Sequence, residues 1–590
     1  MKQTRLIKTI LIALLLLVPV SSQAKETWNS IRSKNFLVIG NAGEGEMRKV
    51  ATRLEQFRQA LVIIFPRLKL ESAIPTTVII FKNHDSFRPF KPRYKGKTME
   101  NVGGYFLSRQ DMNYIVLTAE TRGASPYEVI FHEYEHFITS NNMRKAPLWL
   151  NEGLAEFYST FTPEQDPQKV RLGDPIPNHI LALRNNRLLP LKTLLTVDRK
   201  SPHYNESSKA GIFYAESWAL IHYLMIGNEG KRKEQLTRFI NQLNSEIPLE
   251  ENFRQSFQAD YQTIEKELDQ YVRKFIFPAL IVTFKQQFDY AKEMQSVPLS
   301  EAETHYHLGD LLLQSGRYEE SEEHLRKALK IDAGFAPAQT ALGILRFRQK
   351  QFAEARSLLQ AAIDSDPKSY LAPYYYAESL AQEGHNEEAI KFYRQSILLN
   401  PKIAQMHADL GYVYLALRRD EEANESFKEA IRLDPNNPYL YRTRSYIYLR
   451  SGYGGFAARD ALTYLKWQGW RDDHAPYMAL VAHFGFRQAQ RASDADKILE
   501  DAVAKGDTSA WPSPVVRYLQ RSLAEKELLA QANDNDKLTE AHTYVGLDLS
   551  LSGNKEAAIP HLRWVRENGN QNFVEYPLAL AELSRIEKTP

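Results

Sequence analysis

The residues best suited to chemistry are His132-Glu133-Tyr134-Glu135-His136, an H-E-x-x-H pattern, followed by Trp149-Leu150-Asn151-Glu152-Gly153-Leu154-Ala155-Glu156. On an α-helix, positions four apart return to nearly the same azimuth, so His132 and His136 present two imidazoles on one side, as a shared metal ion requires. Glu133 lies off that line, where a carboxylate takes a proton from a water acidified by the ion without being a ligand itself. Two nitrogens do not complete a catalytic zinc site, and the nearest suitable third ligand is the Glu152 carboxylate. The expected chemistry is hydrolysis assisted by Zn2+, with His132, His136 and Glu152 as metal ligands and Glu133 as the catalytic base.

Such a set needs elements that hold it. Pro126 to Phe131 lead into the motif and Phe137-Ile138 follow it, giving the helix an apolar face to bury while its histidines face a cleft. A second apolar helix carries Glu152 and, one turn on, Glu156. Upstream, Asn35–Gly40 and Thr76–Phe81 read as strands on either side of a helix from about Met47 to Phe65. Gly103–Leu107 and Tyr114–Thr118, joined by a turn from Ser108 to Asn113, read as a β-hairpin. A strand beside the metal helix can take extended substrate by strand addition, and this hairpin is the candidate. The metzincin pattern fails, because Thr139 and Asn142 stand where it needs glycine and a third histidine.

The order H-E-x-x-H then W-L-N-E-G-x-A-E resembles the gluzincin branch of zinc metallopeptidases, most closely the peptidase MA-like proteins with attached tetratricopeptide repeats. The resemblance implies the same ligands and base, and it places Glu156 where relatives hold a ligating imidazole by a carboxylate. The segment Phe213-Tyr214-Ala215-Glu216-Ser217-Trp218 is similar to the helix that supplies a tyrosine to the transition state in aminopeptidase-like gluzincins. Tyr214 is the match, and a phenol there would donate to the oxygen on which charge builds. His222 is expected to be a packed or exposed histidine. The stretch between His136 and Glu152 is shorter than in the aminopeptidase group, and Met99-Glu100-Asn101 only chances to look like that group's amine-binding motif. Exopeptidase and endopeptidase both stay open.

With 590 residues the chain has room for two or more domains, and a formal charge of +3 gives no electrostatic case for a nucleic-acid partner. The basic run Lys91 to Lys97 reads as a solvated loop. Lys2, Arg5 and Lys8, an apolar core from Thr9 to Val20 and then Ser22-Gln23-Ala24 have the layout of a secretory signal peptide cleaved after Ala24. No later segment is apolar enough to span a bilayer. There is no cysteine, hence neither a disulfide nor a lipid-modified cysteine. A secreted protein, in the bacterial periplasm or outside, is the expectation.

In the second half Gly309, Gly343, Ala377, Gly411 and Ser445 recur every 34 residues, as do Pro367, Pro401 and Pro435 at another phase. That is the tetratricopeptide period, two antiparallel helices crossing at small residues, with units at 302–335, 336–369, 370–403, 404–437 and 438–471. The expected organisation is a signal peptide (1–24), an α+β zincin-like domain (25–292), a linker (293–301), five repeats (302–471), then degenerate repeats and capping helices (472–590). The expected activity is a zinc metallopeptidase acting on peptide or protein, with a protein partner on the repeat groove. The rivals are a non-enzymatic scaffold whose zincin domain is structural, and a zinc hydrolase of a non-peptide bond.

Overall fold

The computed structural model describes residues 27–588, apart from 67–69, 71–73, 101, 110, 121–125, 144–145, 206, 244–246, 275 and 286–293. The expected signal peptide falls outside the described residues. Among the described residues no helix is long and apolar enough to cross a membrane.

A six-stranded sheet organises the N-terminal half. Its strands are β1 (Asn29–Arg32), β2 (Leu37–Gly40), β3 (Thr76–Phe81), β6 (Gly104–Ser108), β7 (Asn113–Thr118) and β11 (Ser296–Pro298), in the order β11-β1-β2-β3-β7-β6. The inner pairs β2–β3 and β3–β7 are parallel, and the outer ones are antiparallel. A two-stranded ribbon, β4 (Arg93–Tyr94) with β5 (Lys97–Thr98), and a three-stranded sheet of β8 (Thr162–Pro163), β9 (Lys169–Leu172) and β10 (Leu280–Thr283) lie outside it. The basic run therefore forms the ribbon rather than a plain loop, and Lys91 at its start is buried beside Glu100.

Side chains alternate across a strand, and β3 and β7 are apolar at both parities, so the sheet must be covered on both faces. On one face Val38, Val78, Ile80, Ile115 and Leu117 pack under the helices Glu44–Ile64 and Pro126–Asn142. On the other face Ile39, Ile79, Phe81, Tyr114 and Val116 meet Leu308, Leu311 and Leu312, which belong to the first helix of the repeat array. The segment expected to be a linker is thus part of the domain. Ser296–Pro298 pairs with Asn29–Ile31 as the last strand of the sheet, and Ser300 caps the repeat helix that follows directly. Short period and high polarity hide such a strand. Its partner is distant in sequence, so no local pattern announces it.

The C-terminal half is a stack of paired helices: Glu301–Gln314 with Tyr318–Ile331, Ala336–Arg348 with Phe352–Ser365, Leu371–Gln382 with Asn386–Leu399, Ala404–Ala416 with Asp420–Leu433, and Pro438–Arg450 with Gly454–Gln468. The 34-residue small positions sit at the crossings. A Cβ on Gly343 would lie 2.7 Å from Leu359 Cγ, and one on Gly411 2.9 Å from a ring carbon of Phe427. Beyond the expected units the pairing continues through Ala475–Gln488 with Ala492–Lys505 and Asn535–Leu551 with Lys555–Asn568, and Glu575–Lys588 closes the stack. The pair between them, Ser513–Leu519 with Glu525–Gln531, has short helices, which is why the period fades there.

In this end of the stack burial, reinforced by neighbouring Glu575, pushes the Glu540 carboxyl up to about 8. Its oxygens accept from Trp511 Nε1 at 2.6 Å and from the Tyr477 hydroxyl at 3.4 Å. An unfolded glutamate ionises near 4.5, so this group's contribution to stability is complete below that pH and is lost as pH rises through about 8. Glu540→Gln should therefore raise the Tm at pH 8 by a few degrees and change nothing near pH 4.5, read by thermal melts across pH. An equal shift at both pH values would show that the acid is not held protonated.

Candidate metal centre

The motif occupies the helix Pro126–Asn142. Ile130, Phe131, Tyr134 and Ile138 are buried on its sheet side, Phe131 stacking on Phe57 with centroids 4.7 Å apart. That anchoring turns His132 and His136 to the other side. Trp149, Leu150 and Leu154 bury the next helix, Leu148–Ser159, which brings Glu152 opposite the histidines. Gly153 permits this approach, since a Cβ there would lie 2.4 Å from the Ser217 carbonyl oxygen and 2.7 Å from Ile221. The Ser207–Ile226 helix, carrying Tyr214, crosses at that point.

Three donor atoms converge. His132 Nε2 and His136 Nε2 are 3.1 Å apart, and Glu152 Oε2 lies 3.7 and 3.4 Å from them. Donors at about 2.0–2.2 Å around a tetrahedral ion stand roughly 3.3 Å from one another, so two imidazoles and a carboxylate at these separations fit Zn2+. Among the described residues this is the one group of three or more such side chains that could hold a metal ion. Without an ion, burial holds His132 below its usual pKa, while burial of His136 is outweighed by Glu152, Glu135 and Asn151, pushing it up to about 9, so that a metal must displace a proton from His136 to bind there. Glu152 is buried with both imidazoles beside it, a carboxylate placed to share a cation with them.

Each imidazole is oriented from behind. His136 Nδ1 is 3.2 Å from Asn151 Oδ1. His132 Nδ1 is 3.7 Å from Glu156 Oε1, and Glu156 Oε2 is in turn 3.2 Å from His179 Nε2. Partners of this kind fix ring angle and tautomer. Burial would raise the Glu156 pKa, but His179, His132 and His136 bring it below the usual range. Sequence reasoning missed Asn151 and His179. Asn151 stood inside the quoted motif and one position before Glu152, which was a usable signal. His179 lies on Pro177–Asn185 with no motif around it.

Glu133 and His132 line a cleft of about 620 Å³ together with Tyr127, Glu156, Phe161 and Pro177. A larger cavity of about 1410 Å³ opens behind Asn151, between the end of the motif helix and the fifth and sixth helix pairs, which contribute Leu465 and Ile498. Tyr214 is half-buried with its ring 6.1 Å from Tyr204. Burial, then the nearby Glu152 charge, raises its pKa, so the phenol stays protonated. His222 is fully buried, 2.7 Å from both the Tyr271 hydroxyl and the Gly173 carbonyl, and burial drops its pKa to about 4. It is a packed residue remote from any ligand role.

Comparison with known proteins separates the two halves. Tetratricopeptide-repeat family models match residues 287–335, 312–378, 346–411 and 404–437. The C-terminal half is thus a repeat array of the class that docks proteins. Residues 128–250, which hold the whole candidate centre, match a family described as a protein of unknown function (DUF1570). No curated protein matches the chain. Similar solved structures include Pseudomonas aeruginosa pilF (20% identity over 38% of this chain and 97% of that one, TM-score 0.31). Others are MamA from Desulfovibrio magneticus RS-1 (16%, 30% and 99%, TM-score 0.27) and YrrB, described as a TPR protein with an unusual peptide-binding site (14%, 34% and 98%, TM-score 0.30).

Proposed function

We propose that the protein is a secreted zinc-dependent peptidase whose zinc is held by His132, His136 and Glu152. The observation that carries this reading is the convergence of two Nε2 atoms and one carboxylate oxygen beside a cleft lined by Glu133. Zinc bound there supplies a Lewis acid and lowers the pKa of water toward neutrality. Glu133 accepts the proton that attacking water gives up and returns it to the departing amine. Tyr214, protonated and near Glu152, donates to the carbonyl oxygen as negative charge develops. Glu156, Asn151 and His179 keep the imidazoles aimed. The repeats bring or hold protein partners.

Metal analysis of the purified chain tests the site directly. The native protein should carry one zinc per chain and His136→Ala essentially none, with the repeat helices intact by circular dichroism. A peptide-library digest, set beside ester and amide substrates, then tests the bond class. A native chain that takes up no zinc sinks the reading, and a zinc protein that cleaves only non-peptide bonds corrects its substrate.

A further inference from the structure

The turn of the β6–β7 hairpin is gripped by the repeat array. Asp111, almost fully buried, accepts from the Tyr375 hydroxyl at 2.9 Å and the Gln314 amide at 3.5 Å, and lies 3.7 Å from the Arg348 guanidinium. Arg109 Nε donates to the Gln314 carbonyl at 2.9 Å. Gln314, Arg348 and Tyr375 come from the first helices of three consecutive pairs, the helices whose stacking forms the groove of a repeat array. Tyr114, on β7, hydrogen-bonds Asp310 of the same groove.

The middle of this hairpin packs on the motif helix. β6 is the terminal strand of the sheet, paired on one side with β7. Phe106, in its middle, packs 5.3 Å from Phe137 and 6.2 Å from Tyr134, both on the motif helix. A continuous line of contacts therefore runs from Tyr375 through Asp111 and β6 to the helix that carries His132 and His136.

We propose that the first three helix pairs serve as a clamp on this hairpin, with Asp111 as the positioning residue that sets β6 beside the motif helix. A strand edge is a precise template only when its backbone is fixed, and a hairpin held at one side by a single partner strand frays at its turn. The groove supplies the missing restraint. The repeat units nearest the domain are thus occupied by the chain itself, and any partner docks farther along the stack. The consequence for extended substrate laid along β6 rests on the peptidase reading; the clamp itself does not.

The test is hydrogen exchange on the full zinc-loaded chain, native against Asp111→Ala and Tyr375→Phe. Both variants should speed exchange of the 104–118 amides about tenfold while leaving the repeat helices and the zinc content unchanged. The double variant should add little to Asp111→Ala, which already removes the acceptor that the Tyr375 hydroxyl uses. In the peptide assay KM should rise several-fold at similar kcat. Unchanged exchange in 104–118 overturns the clamp, and so does fully additive behaviour. Faster exchange with unchanged KM keeps the clamp and removes its role in substrate positioning. A chain that hydrolyses no peptide still reports the clamp through exchange, so the two readings fail separately.

Discussion

Glu133→Gln should bind zinc one to one, melt with the native protein and lose roughly 10²–10⁴-fold in kcat. Glutamine has the shape of the carboxylate it replaces, but it exchanges one acceptor oxygen for a donor NH2 and cannot take up a proton. Glu133 lines the cleft and is not among the three converging donors, so the change spares the ligands. Isothermal titration with zinc, paired with turnover of the best library peptide, separates binding from chemistry. A variant that still cleaves at the native rate would mean that another group is the base. A variant that loses zinc would mean that Glu133 is a ligand.

Gly153→Ala should force apart the two helices that meet behind the candidate centre. Its Cβ would fall 2.4 Å from the Ser217 carbonyl oxygen, a backbone atom inside a helix that cannot swing aside like a flexible side chain. The two helices must part. Overpacking of this kind costs about 1–3 kcal/mol, and here it displaces Glu152, the adjacent residue. The expected result is a Tm lower by several degrees and zinc affinity weaker by on the order of tenfold, the scale seen when groups that orient ligands are disturbed. Tm and zinc affinity both at native values would show that the helices do not depend on this close approach.

The glycine also illustrates what could be read from the chain alone. The sequence W-L-N-E-G already placed a small residue beside the expected ligand, and helical spacing alone put His132 and His136 on one side. Strands β2, β3 and β7 were legible because they are runs of β-branched and aromatic residues, and the repeats because small residues return every 34 positions. What stayed hidden depends on partners far away in sequence. Nothing local in Asn29–Arg32 tells that it pairs with Ser296–Pro298, and nothing around His179 tells that it meets Glu156. Leu308, Leu311 and Leu312 add an apolar face to a repeat helix whose Leu313 already serves the stack. That added face was the one available hint that the first repeat covers a sheet.

The joining of β1 to β11 bears on how the molecule is made. Ser30 donates to the carbonyl of Val297, 267 residues later. A chain emerging from its N-terminus must wait for nearly half its length before the outer strand arrives, and longer still for the leucines that roof the sheet. Until then the nascent domain shows an unpaired edge and a bare apolar face, the two features that invite self-association. Its folding is a late event, timed by the arrival of the first repeat, and a fragment cut before residue 296 would be expected to aggregate instead of standing alone.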